Sequence, residues 1–185
     1  MLQVEKYLEV FERFNEQRNR ITRLWNIGQQ TADLLKMIVL IKVPKIVLEL
    51  GTSNGYSTFH IAMSLTSEAI VYTIDVEPAR QDLAKENLKK FNNIRFISMR
   101  IEDYIPMIDY NIDLLFIDAN KTNYLTYLKA LEDKLSKNAV IIADNINSHT
   151  GSIKQFLLYI KRCRKKYQFV KLDIETGVVI AIYCG

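Results

Sequence analysis

The feature that most limits what this chain can fold into is an alternation, sustained from residue 45 to residue 144, between short continuous apolar runs and longer stretches of helical period. The runs are KIVLEL (45–50), AIVYTID (69–75), IRFIS (94–98), IDLLFID (112–118) and AVIIAD (139–144). A segment apolar at successive positions has to be buried on both faces of a sheet, and the helices between the runs are what cover those faces. The alternation therefore predicts an α/β fold: a doubly wound, mostly parallel sheet with helices on both sides. Among the connecting segments, one carries Leu83, Leu88 and Phe91, and another sets Tyr124, Leu128, Leu131 and Leu135 on one face. After Asp144 the loop NINSHTG leads into a helix with Ile153, Phe156, Leu157 and Ile160 inward. The last two β-rich runs are separated by Glu175-Thr176-Gly177, which leaves room only for an antiparallel return, so the sheet should end in a C-terminal hairpin.

Residues 1–43 read as two helices packed on the sheet. The first has Val4, Tyr7, Leu8, Phe11 and Phe14 at helical spacing, and the second runs from about Gln29 through Ile41 and stops near Pro44. No repeat, linker or low-complexity tract interrupts the chain, so 1–185 is expected to form a single domain. Its 185 residues, 49% hydrophobic, suffice for a core and exclude disordered and collagen-like classes. A net charge of +4 with both signs spread along the chain does not by itself indicate a nucleic-acid binder. Cys163 and Cys184 form neither a stapled framework nor a metal cluster, so a reducing, cytoplasmic setting is expected. Charges recur every few residues at the N-terminus, where a signal peptide needs an apolar stretch. The longest apolar run, Val178 to Cys184, is far below the roughly 20 residues that span a bilayer, so no membrane partner is expected.

Two sets of residues suggest chemistry. The strand KIVLEL runs directly into Gly51-Thr52-Ser53-Asn54-Gly55-Tyr56-Ser57 and then a helix, which lets the backbone pass close beneath a ligand and offers free N–H groups to an anion. The spacing is GxxxG, which matches neither GxGxxG nor GxxxxGK[ST] and so disfavours NAD and ATP; a tight turn with no ligand is the alternative. Asp75 closes the next strand, 24 residues after Gly51, where a carboxylate can accept both hydroxyls of a ribose, or else cap the helix opening near Pro78. The second set is Asp118 with Asp144-Asn145, at the ends of strands expected to lie side by side. Two carboxylates and an amide oxygen without His or Cys are hard donors suited to Mg²⁺, Mn²⁺ or Ca²⁺, although Asp and Asn also favour strand-end turns. Lys121 follows Asp118 by three residues. Beside a bound cation it would lose proton affinity and could act as a general base; otherwise it is a solvated lysine at a helix start.

VLELGTSNGYST, YTIDVEP, DLLFIDANKTNY and VIIADN, in this order, resemble the class I S-adenosylmethionine methyltransferases, and specifically the cation-dependent O-methyltransferases that include catechol and caffeoyl-CoA enzymes. The resemblance covers roughly residue 27 to the C-terminus. It implies that Gly51 and Ser57 contact the methionine end of the donor, with Glu49 supporting the loop and Ile27 lying over the methionine moiety. It further implies that Asp75 holds the ribose, that Ile101 and Glu102 border the adenine, and that Asp118 also lies close to the donor. Asp118, Asp144 and Asn145 would bind the divalent ion, magnesium first among the candidates, and Lys121 would be the base. The expected acceptor is a small molecule with adjacent hydroxyls. Trp25, Tyr56, Tyr124 and His149 are the aromatic candidates for its pocket. The stretch before the donor motif and the loop after Asn145 are shorter than in many relatives, which leaves the acceptor and the assembly, including a homodimer, open.

Two other readings compete. Some relatives methylate a hydroxylated uridine in tRNA, and Lys161, Arg162, Arg164, Lys165 and Lys166 together with Arg18, Arg20 and Arg23 could track phosphates, although a charge run is usually a solvated face. A catalytically silent module that keeps the donor site for binding is the other, and Lys121 with the acid cluster counts against it.

Overall fold

The apolar runs form one seven-stranded sheet in the order β3-β2-β1-β4-β5-β7-β6, seen in a computed structural model that describes residues 2–20, 24–147 and 150–185. Helices α1 (Leu2–Arg20) and α2 (Gln29–Lys42) precede the first strand. There follow β1 (Ile46–Leu50), α3 (Tyr56–Ser64), β2 (Ile70–Asp75), α4 (Pro78–Asn87), β3 (Ile94–Ser98) and α5 (Ile101–Tyr104). The second half contains β4 (Ile112–Ile117), α6 (Tyr124–Leu131), β5 (Leu135–Ala143), α7 (Thr150–Arg162), β6 (Tyr167–Leu172) and β7 (Val178–Tyr183).

Strands β1 to β5 are all parallel, and β7 pairs antiparallel with both β5 and β6. The hairpin is therefore as expected. Successive residues of the central strands serve opposite layers, as their two-sided apolar composition requires. In β1, Val47 packs with α1, α2 and α3 through Val10, Phe14, Leu35, Val39 and Phe59. Its neighbour Leu48 packs on the other face with α6 and α7, through Tyr124, Leu128, Phe156 and Ile160.

Three details differ from the sequence reading. Helix α4 ends at Asn87, so of Leu83, Leu88 and Phe91 only Leu83 lies within it, Leu88 is its C-cap and Phe91 falls beyond it. In α1 it is Val10, 2% exposed, that enters the core with Phe14, whereas Leu8 is 50% exposed; Tyr7 and Phe11 pack at the margin. Leu135 does not continue the face of α6. The helix ends at Leu131, a 3₁₀ turn over Glu132–Lys134 follows, and Leu135 opens β5. Leu135 happens to fall in helical phase with Leu128 and Leu131, and a single buried leucine satisfies either period. The Val4 side chain, Arg23, the Arg20 side chain and His149 lie outside the described residues.

The topology places the site. The chain moves outward from β1 to β2 and β3, then returns to the other side of β1 as β4, so the order reverses between β1 and β4. A crevice opens at the carboxyl ends of strands flanking such a reversal. Here those ends carry Gly51 and Asp118.

Candidate functional site

A cleft of about 670 Å³ lies at this reversal, within the range of small-molecule sites. Ile27, Gly51, Ser57, Asp75, Ile101, Glu102, Asp118, Lys121 and Asn145 all line it. Glu49 and Asp144, 0% and 1% exposed, lie directly behind that lining.

At the β1 end the site is made largely of backbone. Gly51 N and Thr52 N both donate to Ile74 O, at 2.9 and 3.2 Å, so the loop after β1 folds against the end of β2. Gly51 has φ +106, and a Cβ there would come within 2.2 Å of the Asp118 carbonyl oxygen, so only glycine lets the two strand ends approach this closely. Asp75 accepts Ser53 N at 2.9 Å on Oδ2 and Glu77 N at 2.9 Å on Oδ1. Its carboxylate thus clips the loop to the end of β2, and the lone pairs left on each oxygen can still accept ligand hydroxyls. It does not cap α4 in the usual way: Glu77 occupies the N-cap position, and Asp75 bonds that residue's own N–H. From behind, the Gln17 amide of α1 bonds Asn54 and Asn87 at 2.8–3.0 Å and anchors the loop to α1 and α4.

Glu49 is the buried acid of this half. Thr58 and Thr73 donate to its Oε2, the latter at 2.6 Å, while Oε1 is buried without a hydrogen-bond partner. Burial raises its carboxyl to about 7 despite the stabilising hydroxyls of Ser57, Thr58 and Thr73. A buried acid with one unpaired oxygen behind a cleft suits a ligand carrying a cationic group.

The β4–β5 end is made of charged side chains. Backbone bonds continue past the strands, Asp118 N to Leu50 O at 2.9 Å and Asp144 N to Ile117 O at 3.1 Å, which sets the two acids on neighbouring strand ends. Lys121 Nζ pairs with Asp118 Oδ1 at 2.7 Å. Burial pushes Asp118 up to about 7; the Lys121 charge opposes this and the Asp144 charge adds to it. Asp144 is also raised, chiefly by burial. Asn145, at φ 60, turns its amide back so that Nδ2 donates to Asp144 Oδ2 at 2.8 Å. Two carboxylates raised chiefly by burial, beside an amide, form a donor set that a hard divalent cation relieves. Among the described residues no group of three or more His, Cys, Asp or Glu forms a metal cluster, and this set is of a different kind, with one ligand an amide.

Several lining residues escaped the sequence reading. Asn26 comes from the loop before α2 and Arg80 from α4, where its guanidinium lies 4.9 Å over the ring of Trp25 on the Asp75 side of the cleft. Asn123 and Tyr127 lining the cleft hold the Glu102 carboxylate at 3.0 and 3.3 Å. Thr176 arrives from the β6–β7 turn. Of the aromatic candidates, Trp25 and Tyr56 line the cleft, whereas Tyr124 is wholly buried and donates to Asp144 O at 3.1 Å.

The architecture is that of an O-methyltransferase from Bacillus cereus solved in complex with SAH, with a TM-score of 0.80 at 22% identity over 99% of this chain and 91% of that one. This likeness defines the class of fold. Residues 3–156 match the family model described as O-methyltransferase, and the chain belongs to that family. It is 31% identical to catechol O-methyltransferase B of Danio rerio over 86% of this chain and 66% of that protein. It is 29% identical to a caffeoyl-CoA O-methyltransferase of Medicago sativa over 65% of this chain and 54% of that one. The chain thus spans between about half and two thirds of the length of these curated relatives.

Proposed function

We propose that this protein transfers a methyl group from S-adenosylmethionine to a hydroxyl of a small catechol-like acceptor, with the help of a divalent cation, magnesium in the first instance. The observation that carries this reading is the meeting in one cleft of the glycine loop with Asp75 and the Asp118–Asp144–Asn145 oxygen set, joined where Gly51 abuts Asp118.

When bound, the donor supplies an electrophilic methyl on a cationic sulfur and the metal ion lowers the proton affinity of the acceptor hydroxyl. The chain does the rest by binding and orientation. Asp75 accepts the ribose hydroxyls while keeping the loop in place. Ile101 and Glu102 border the adenine, Gly51, Ser57 and Ile27 surround the methionine end, and Glu49 stands behind it as a buried counter-charge. Asp118, Asp144 and Asn145 hold the ion. Lys121 Nζ, paired with Asp118 Oδ1 at 2.7 Å, would receive the acceptor's proton after its ammonium has released one to solvent. Aligning two reactants within one site accounts for much of such a rate gain.

A small acceptor is favoured over tRNA by where the basic residues fall. Lys161 and Arg162 end α7, and Arg164 to Lys166 follow it. The basic run lies at the C-terminal end of a 13-residue helix about 20 Å long, whose first residue, Thr150, is the one nearer in sequence to Asn145. Arg18, by contrast, sits 5.0 Å over the Tyr56 ring beside the cleft. On this reading Arg18 and the run after α7 are separate solvated charges rather than one phosphate track.

The test is transfer of labelled methyl to catechol and, in parallel, to bulk tRNA across a salt series. Label in catechol with little salt dependence is expected. Label in tRNA alone, falling steeply with salt, would contradict a small acceptor.

A further inference from the structure

The turn between β6 and β7 belongs to no motif, yet it reaches into the oxygen set. Asn145 Nδ2 donates to Asp144 Oδ2 at 2.8 Å and to Thr176 Oγ1 at 2.8 Å. The Thr176 hydroxyl donates in turn to Asp144 Oδ1 at 3.2 Å. A primary amide has two N–H donors and a hydroxyl has one. This three-residue ring therefore uses both amide hydrogens of Asn145 and the hydroxyl hydrogen of Thr176, and engages both carboxylate oxygens of Asp144. Reversing the amide would set its carbonyl oxygen against the Asp144 carboxylate and the Thr176 oxygen, so the ring selects one orientation. In that orientation the atom Asn145 can offer a cation is Oδ1.

The turn carrying Thr176 is itself clamped. The Glu175 carboxylate accepts Gln30 N at 2.9 Å, Thr31 N at 3.1 Å and Thr31 Oγ1 at 2.7 Å, and so ties the hairpin to the start of α2. Gly28 makes room for it, since a Cβ there would lie 2.0 Å from Glu175 Oε1. On the other side, Asn147 N donates to Thr176 O at 2.9 Å and Ile146 N to Gly177 O at 3.1 Å. Held between α2 and the loop after β5, the hydroxyl has a fixed position relative to both side chains it bonds.

We infer that Thr176 is a positioning residue for the divalent cation: its hydroxyl fixes which face of the Asn145 amide meets the ion and how the Asp144 carboxylate is turned. The inference rests on the cation site proposed above. Groups that orient metal ligands commonly change affinity by about 10- to 100-fold when removed. Thr176 is exposed, so replacing it leaves the core untouched.

The experiment is a Mn²⁺ titration of the full chain, followed by the electron paramagnetic resonance signal of free Mn²⁺, with S-adenosylmethionine affinity measured in parallel. Thr176→Val should weaken Mn²⁺ binding by about 10- to 100-fold, Thr176→Ser should restore it, and donor affinity should stay level throughout. Wild-type Mn²⁺ affinity in Thr176→Val, or an equal loss in Thr176→Ser, overturns the inference and leaves the cation site standing. If the wild-type chain binds Mn²⁺ no better than Asp144→Asn, the cation site falls and the inference with it.

Discussion

The two halves of the cleft are built from different materials. On the β1–β2 side the ligand-facing surface is mostly backbone, shaped by Gly51 and clipped by Asp75 through two N–H bonds. On the β4–β5 side it is a set of charged side chains whose placement depends on a strand end, the next strand end and a distant turn. A backbone cradle is specified by a few residues adjacent in sequence. A charged cluster is specified only when separate segments meet, and burying it is electrostatically costly, as the raised carboxyls of Asp118 and Asp144 show.

If the halves are distinct, substitutions should separate them. The largest effect belongs to Asp144→Asn: turnover should fall by several kcal/mol in activation free energy, since a metal ion's charge stabilisation is of that order. Donor affinity should change less than twofold. A parallel loss of donor affinity would show that the halves are one unit. Gly51→Ala attacks the seam, because its Cβ meets the Asp118 carbonyl at 2.2 Å and the residue needs φ +106. Overpacking and left-handed strain together should cost about 3 kcal/mol, or about 6–12 °C in Tm. An unchanged Tm would mean that the strand ends are not in contact.

Both halves make stability depend on pH through their raised carboxyls, and Glu49 carries the donor half's share. Glu49 has a folded value of about 7, above its ordinary 4.5, so the native state holds the proton more tightly than the unfolded chain. Glu49 therefore makes stability fall as pH rises from about 4.5 to 7, by an amount on the order of 3 kcal/mol, and the contribution is level above that range. Urea unfolding of wild type and Glu49→Gln across pH 5–8 should show the shallower slope in the variant; parallel curves would contradict the burial of an acid there. The smallest effect is expected from Asp75→Ala, about 1–3 kcal/mol in donor affinity with Mn²⁺ affinity intact. Unchanged donor affinity would make Asp75 a clip for the loop alone.

The same division explains what could be read from the sequence. The sheet was legible because continuous Ile- and Val-rich runs have few alternatives to a two-sided burial, and all five parallel strands end within one residue of their apolar runs. Gly51, Asp75, Asp118 and Asp144 were legible because each sits at the end of such a run. The end of α6 was not, since Leu135 fits the helix period and the strand that replaces it equally well. That Val10 rather than Leu8 enters the core from α1 depends on what the helix packs against, which its own periodicity does not encode. Thr176, Arg80 and Asn26 carried no signal, because a hydroxyl in a turn, an arginine on a helix and an amide in a connection acquire their role only through partners far along the chain. Glu175-Thr176-Gly177 announced a hairpin correctly and said nothing of the strand end it would touch.

The central claim is that the charged half holds an ion without which the backbone half, though still loaded with donor, cannot transfer a methyl. It is tested most directly by measuring labelled methyl transfer to catechol after exhaustive chelation, with donor binding followed in the same sample, and again after magnesium is restored. The account predicts no transfer with donor affinity retained, then recovery on adding the ion. Transfer that persists through chelation, at an undiminished rate, would contradict it.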